Sequence, residues 1–151
     1  MNTPTDTENV LVVRRDMAVP REQVFGAWLD PVSLSHWMLG DPTHWAQSTV
    51  AVDARVGGKF RIVMNGPTGG HEHVGEYLVI DRSSLLSFTW TSAGTDFTPT
   101  VVSIEFHERG NGTEIVLTHR RLPAAKVTSH REGWTAILKN LDAVLTGGQT
   151  T

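Results

Sequence analysis

Between Ser48 and Arg120 one pattern occurs six times: a short run of alternating or β-branched apolar residues, then turn residues. The runs are STVAVD, KFRIVM, HEHVGEYLVI, SLLSFTW, TVVSIEF and TEIVLTHR. Period-two alternation bounded by Gly, Pro, Asn, Asp and Ser is what half-buried strands require. The connectors Val56-Gly57-Gly58, NGPTGG, DRSS and RGNG are short enough to join antiparallel neighbours, so a continuous meander is expected.

The flanks differ in period. Val10 to Val19 alternates, with Val13, Met17 and Val19 on one side and Arg14, Asp16 and Ala18 on the other, and reads as a further strand. Pro20 then precedes REQVFGAWL, where Val24, Phe25, Trp28 and Leu29 recur at helical spacing. Asp30-Pro31 separates this from a second short helix, VSLSHWM. At the other end Val127, Trp134, Ile137, Leu138, Leu141, Val144 and Leu145 form one stripe with steps of three and four, after Pro123. The expected order is strand, two short helices, six strands, long helix. One face of a seven-stranded antiparallel sheet needs an apolar cover, and the last helix is the only element long enough to supply it. The expected arrangement is α+β, a strongly curved sheet around a long C-terminal helix, and the gap between them is where a ligand would go.

A chain of 151 residues with 39% hydrophobic residues has the size of one domain with a sizeable core. That domain is expected over residues 9–145, with the polar segments 1–8 and 146–151 as flexible ends. Thirteen Lys and Arg against sixteen Asp and Glu give a net charge of -3, with no basic run, which sets nucleic acid aside. The absence of cysteine removes disulfides, thiolate metal sites and thiol nucleophiles, and suits a reducing cytoplasm. Neither a secretory leader nor an apolar run of membrane-spanning length is present, so a soluble, unprocessed, cytoplasmic protein is expected, with no membrane insertion. An exposed edge strand allows either a monomer or a homodimer.

The residues resemble the START or Bet-v-like helix-grip superfamily. Within it they resemble the branch named after the activator of the ATPase of heat-shock protein 90. The pieces that carry the resemblance are VPREQVFGAWLDPVSLSHW, VGGKFRIVMNGPTGG, GEYLVIDRSSLLSFTW, VSIEF with GTEIVLTH, and GWTAILKNL, in that order from about Val12 to Leu145. The resemblance implies a cavity that holds an apolar or amphipathic small molecule, with cyclases as a catalytic minority. The family name implies a chaperone partner. The eukaryotic activator, however, resembles this chain only in its C-terminal domain, and 151 residues leave no room for the N-terminal domain that engages the chaperone most extensively.

The candidate chemistry is sparse. His71 and His73 share a strand face in a geometry that metal sites use, but His36, His44, His107, His119 and His130 stand at no spacing that supplies a third ligand. The pair is read as a polar strand start beside a turn, with no metal and no cofactor. Gly57-Gly58 lacks the Gly-Lys-Ser/Thr ending and the following helix of a phosphate loop, and is read as a turn or bulge. No Gly-X-Ser-X-Gly elbow exists, so hydrolase chemistry has no support.

Acid–base work in the cavity falls to His119, which shares a face with Ile115 and Leu117, or to Glu76. Glu76 lies on the face of Val74, Leu78 and Ile80, opposite His73, Gly75, Tyr77 and Val79, and either face can be inward. Gly133 interrupts the last helix at about 1 kcal/mol relative to Ala, and close packing of the helix on the sheet is expected to compensate. Trp28 is read as core. The expected cavity lining is Trp37, Trp45, Phe60, Met64, Tyr77, Trp90, Phe106, His119, Trp134 and Leu138, residues that are large and apolar or that lie on elements around the gap. The reading is therefore a non-covalent binding protein for a small hydrophobic or amphipathic ligand. The alternatives are a cyclase, dehydratase or isomerase using His119 or Glu76, and a protein-binding module acting through its outer surface.

Overall fold

A computed structural model describes residues 9–147. Seven antiparallel strands form one sheet in the order β1-β7-β6-β5-β4-β3-β2. They are β1 (Leu11–Met17), β2 (Ala46–Val52), β3 (Lys59–Gly66), β4 (Gly69–Asp81), β5 (Leu85–Ser92), β6 (Thr100–Arg109) and β7 (Gly112–Arg120). From β2 to β7 the strands are a meander, as their short connectors require. The hairpin β3–β4 turns on Pro67-Thr68 alone, because Gly66 already pairs with Gly69, whose φ of +122° no ordinary side chain tolerates. The strands thus absorb most of NGPTGG, and HEH lies inside β4, not at its start.

β1 closes the order by pairing with β7, from Leu11 opposite His119 to Met17 opposite Thr113. Between β1 and β2 the chain crosses one end of the sheet as α1 (Arg21–Ala27) and α2 (Pro31–Trp37). Pro20 receives the Gln23 and Val24 N–H groups on its carbonyl, while the Asp30 carboxylate accepts from Val32 N at 3.0 Å with Pro31 in the first turn. Both starts follow from residues that cannot continue a strand but satisfy free helical N–H groups.

α3 (Val127–Leu145) buries Trp134, Ile137, Leu138 and Leu141 against the sheet. Each such side chain contributes roughly 1.5–3 kcal/mol on burial. The half-exposed pair Arg15–Asp142, at 2.8 Å, is worth about 0.2–1 kcal/mol. The apolar stripe therefore holds the helix down. The ion pair, with Arg131 donating to Val12 O at 3.1 Å, sets its position along β1. On the α2 side Asn140 Nδ2 donates to Leu39 O at 2.9 Å and Gly40 O at 3.1 Å. α3 is thus tied at β1 and at the end of α2, and the sheet departs from it around the β3–β4 hairpin.

β4 breaks its own alternation. Tyr77 is opposite Phe88, but Val79 is opposite Ser87, so Leu78 is an extra residue in a bulge. Leu78 and Val79 are both exposed, whereas Ile80 packs on the core with Tyr77. This corrects the expected division of faces, in which Ile80 accompanied Glu76 and Leu78: strict period two fails where one strand carries a residue more than its partner. At the C-terminus the Thr146 and Gly147 N–H groups bond to the end of α3 through Asp142 O and Val144 O. The remaining terminal residues, 1–8 and 148–151, lie outside the described residues. Among the described residues no helix is long and apolar enough to cross a membrane.

Candidate functional site

The gap between sheet and helix is not continuous. Toward α1 and α2 it is filled: Trp28 meets Trp37 at 4.7 Å between ring centroids, Phe60 meets Phe88 at 5.3 Å, and Phe60 meets Tyr77 at 5.4 Å. What remains there is about 10 Å³, bounded by Trp28, Leu34, Met38, Phe60, Ile62, Tyr77, Phe88 and Trp90, room for one water at most.

The open space lies at the other end of α3. A hollow of about 190 Å³ is bounded by Met64, His73, Trp90, Ser129, His130, Gly133, Trp134 and Ile137. A wider one of about 550 Å³ shares Met64, His73 and His130 with it and reaches Trp45, Gly70, His71, Glu72 and the segment from Ser92 to Phe97. Its rim is built by the β5–β6 connection. There a 3₁₀ turn, Ala93–Thr95, is followed by Asp96 and Phe97 at φ +55° and +58°. Two successive non-glycine residues in the left-handed region are strained. Thr95 holds them, its hydroxyl bonding within the loop to Ser92 O and Thr98 O, and Phe97 is left 75% exposed at the mouth.

Three glycines bear on this site. A Cβ on Gly133 would meet nothing within 4 Å, so close packing on the sheet does not compensate for this glycine, contrary to expectation; its bare backbone instead forms part of the hollow's wall. A Cβ on Gly66 would come within 2.8 Å of the Trp45 ring, and one on Gly40 within 2.6 Å. Trp45 therefore lies across two glycines, 5.7 Å from the ring of His71.

Three histidines order the polar groups. His119 is fully buried. Trp134 Nε1–H donates to its Nδ1 at 2.9 Å, which leaves the ring proton on Nε2, 2.7 Å from Thr100 Oγ1. The Thr100 hydroxyl in turn donates to Trp90 O at 2.6 Å. Burial pushes the His119 pKa down to about 3, with His130 adding to the effect. Both nitrogens are consumed by the protein and none is left to move a substrate proton.

His73 stacks on Trp90 at 4.8 Å, its Nδ1 is buried without a hydrogen-bond partner, and burial lowers its pKa to about 4 against a smaller opposing pull from the backbone of His71 and Ile62. His130 is also lowered, first by burial. Glu76 takes no part: it is opposite Lys59 on the outer face, its neighbours Gly75 and Tyr77 being turned inward. The two expected proton carriers thus lie on opposite sides of the sheet.

Of the expected lining, Trp45, Met64, Trp90 and Trp134 border the open hollows. Phe60 and Tyr77 border the small filled void, while Trp37, Phe106, His119 and Leu138 are packed core with no exposure above 1%. Phe106 is turned toward Phe25, at 5.1 Å. Sequence reasoning missed His73, His130, Ile137 and Phe97 as lining. A signal existed for two of them, since His130, Trp134 and Ile137 stand at i, i+4 and i+7 on one helix face. No local signal marks Phe97. Among the described residues no group of three or more His, Cys, Asp or Glu could hold a metal ion; Glu72 pairs instead with Arg61.

Solved structures share this architecture. A Nitrosomonas europaea protein superposes with a TM-score of 0.79 at 24% identity, covering 97% of this chain and 100% of its own. One from Arthrobacter aurescens gives 0.80 at 21%, covering 95% and 90%, and one from Chromobacterium violaceum 0.78 at 24%, covering 90% and 96%. At such identities the likeness is one of fold. None of the curated proteins matches the chain. The family described as activator of Hsp90 ATPase homolog 1-like protein matches residues 18–146. That span takes in every element from the start of α1 through α3, and the chain belongs to this family.

Proposed function

We propose that the protein binds a small hydrophobic or amphipathic molecule in the hollow between α3, the β3–β4 hairpin and the β5–β6 connection, with residues 9–145 acting as one binding domain. The observation that carries this is the pair of adjoining spaces, about 190 and 550 Å³, walled by Trp45, Met64, Trp90, Phe97, Trp134 and Ile137, with His71, His73, His130, Glu72 and two serines as the polar part of the lining. Size and lining are those of small-molecule sites. Binding is favoured over proton-transfer chemistry because His119 is fully hydrogen-bonded within the core and Glu76 lies on the outer face. The proposed setting is the cytoplasm, as a monomer or homodimer.

Native mass spectrometry of the freshly purified protein tests the reading. A bound small molecule released on denaturation is the expected result. Bare chain mass, together with no thermal shift across a panel of apolar and amphipathic compounds, would overturn it. The family match also supports a co-chaperone-like module; that reading predicts capture of the chaperone by the purified protein whatever the hollow contains.

A further inference from the structure

The atoms that face the hollow define which polar group it accepts. His130 Nδ1 lies 2.9 Å from Lys126 O. A carbonyl only accepts, so Nδ1 carries the proton, and in the neutral ring Nε2 presents a lone pair. Among the described residues that nitrogen meets no protein donor. Its edge of the ring faces Gly94, where an added Cβ would stand 3.4 Å from Cε1 and 3.6 Å from Nε2; with no side chain there, the edge stays open toward the wider space. His73 lies beside it in both hollows, with its own Nδ1 buried in the wall and closed off from the space. No Lys or Arg borders either hollow, and the one carboxylate there is Glu72.

Resting on the binding reading above, we propose that the site selects a neutral ring-shaped ligand bearing an O–H or N–H, which donates to His130 Nε2 while its ring lies among Trp45, Trp90 and Trp134. A carboxylate of the same apolar body meets a lone pair in place of a donor, loses its hydration and finds no cation. Burial, which disfavours the charged form of the His130 ring, keeps this acceptor character near neutral pH.

The test compares three probes with one ring system: naphthol, methoxynaphthalene and naphthoate, titrated at pH 7.5 and followed by tryptophan fluorescence and by the indole N–H resonances. Naphthol is expected to bind about five- to tenfold more tightly than the ether, the worth of one hydrogen bond, with naphthoate weakest. His130→Phe removes the acceptor, and Gly94→Val covers it by packing against the ring while leaving the imidazole in place. Each is expected to bring naphthol to the level of the ether. Naphthoate binding as tightly as naphthol, or a naphthol preference unchanged in both variants, would overturn the inference while leaving the binding site in place. Failure of all three probes to bind at millimolar concentration would overturn the binding reading as well.

Discussion

Trp134 on α3 donates its indole N–H to Nδ1 of His119 on β7 at 2.9 Å, and the second nitrogen of that imidazole meets Thr100 on β6 at 2.7 Å. The chain ends on the carbonyl of Trp90 in β5, so one line of hydrogen bonds ties the helix to three strands and orients two walls of the hollow. Its members satisfy one another without water, which is the condition under which a buried polar network stabilises a fold.

Replacing His119 by Phe leaves the Trp134 N–H buried without an acceptor. The expected loss is about 1–3 kcal/mol, read from urea denaturation. In a Trp134→Phe background the same replacement is expected to cost clearly less, because the orphaned donor is gone. Equal costs in both backgrounds would show that the bond contributes nothing.

Acid should destabilise the protein well before its carboxylates titrate. His119 has an ordinary value of 6.5 and a folded value near 3, so between these limits the unfolded chain binds the proton that the folded one refuses. Stability is complete above pH 6.5 and falls as pH drops toward 3, by up to about 1.4 kcal/mol per unit for this fully buried ring. His73 and His130 are shifted in the same direction. The check is the urea midpoint between pH 7 and pH 5. A flat profile there would contradict the buried neutral histidines.

Asn140 caps the end of α2 from another element, donating to Leu39 O and Gly40 O. Asn140→Ala leaves those carbonyls to whatever water reaches them, at an expected cost of about 1–2 kcal/mol in thermal or chemical unfolding. Asn140→Leu, which keeps the bulk, should be no better if hydrogen bonding and not packing is the contribution.

Gly66→Ala puts a methyl within 2.8 Å of the Trp45 ring. The ring is at the end of a half-buried side chain and can swing away, so unfolding should change by less than about 1 kcal/mol. One indole resonance should shift strongly, and binding of ring probes should weaken severalfold. An unmoved Trp45 resonance would show that the ring does not lie across this glycine.

The fold was legible because its signals are local. The period of two in KFRIVM and TVVSIEF, the two-residue turns, and the stripe Trp134, Ile137, Leu138 and Leu141 each follow from which side of a single element meets water. The bulge at Leu78 escaped because an extra residue is visible only against the partner strand. The pairing of β1 with β7 escaped for the same reason, since these strands are about a hundred residues apart in sequence and no turn joins them.

The site was half legible. Large residues on the facing elements were named from composition and position, but Trp37, Phe106, Leu138 and His119 turned out to be packed solid, while His73, His130 and Phe97 border the space. Sequence alone determined the order of the elements and the apolar face that each strand and helix presents, because burial repeats with the geometry of one backbone. Only the tertiary structure decided where the interior stays empty. A cavity is what remains after rings from several elements have filled the gap, and that depends on how α1, α2 and the sheet edge are placed around α3, a relation no single stretch of chain contains.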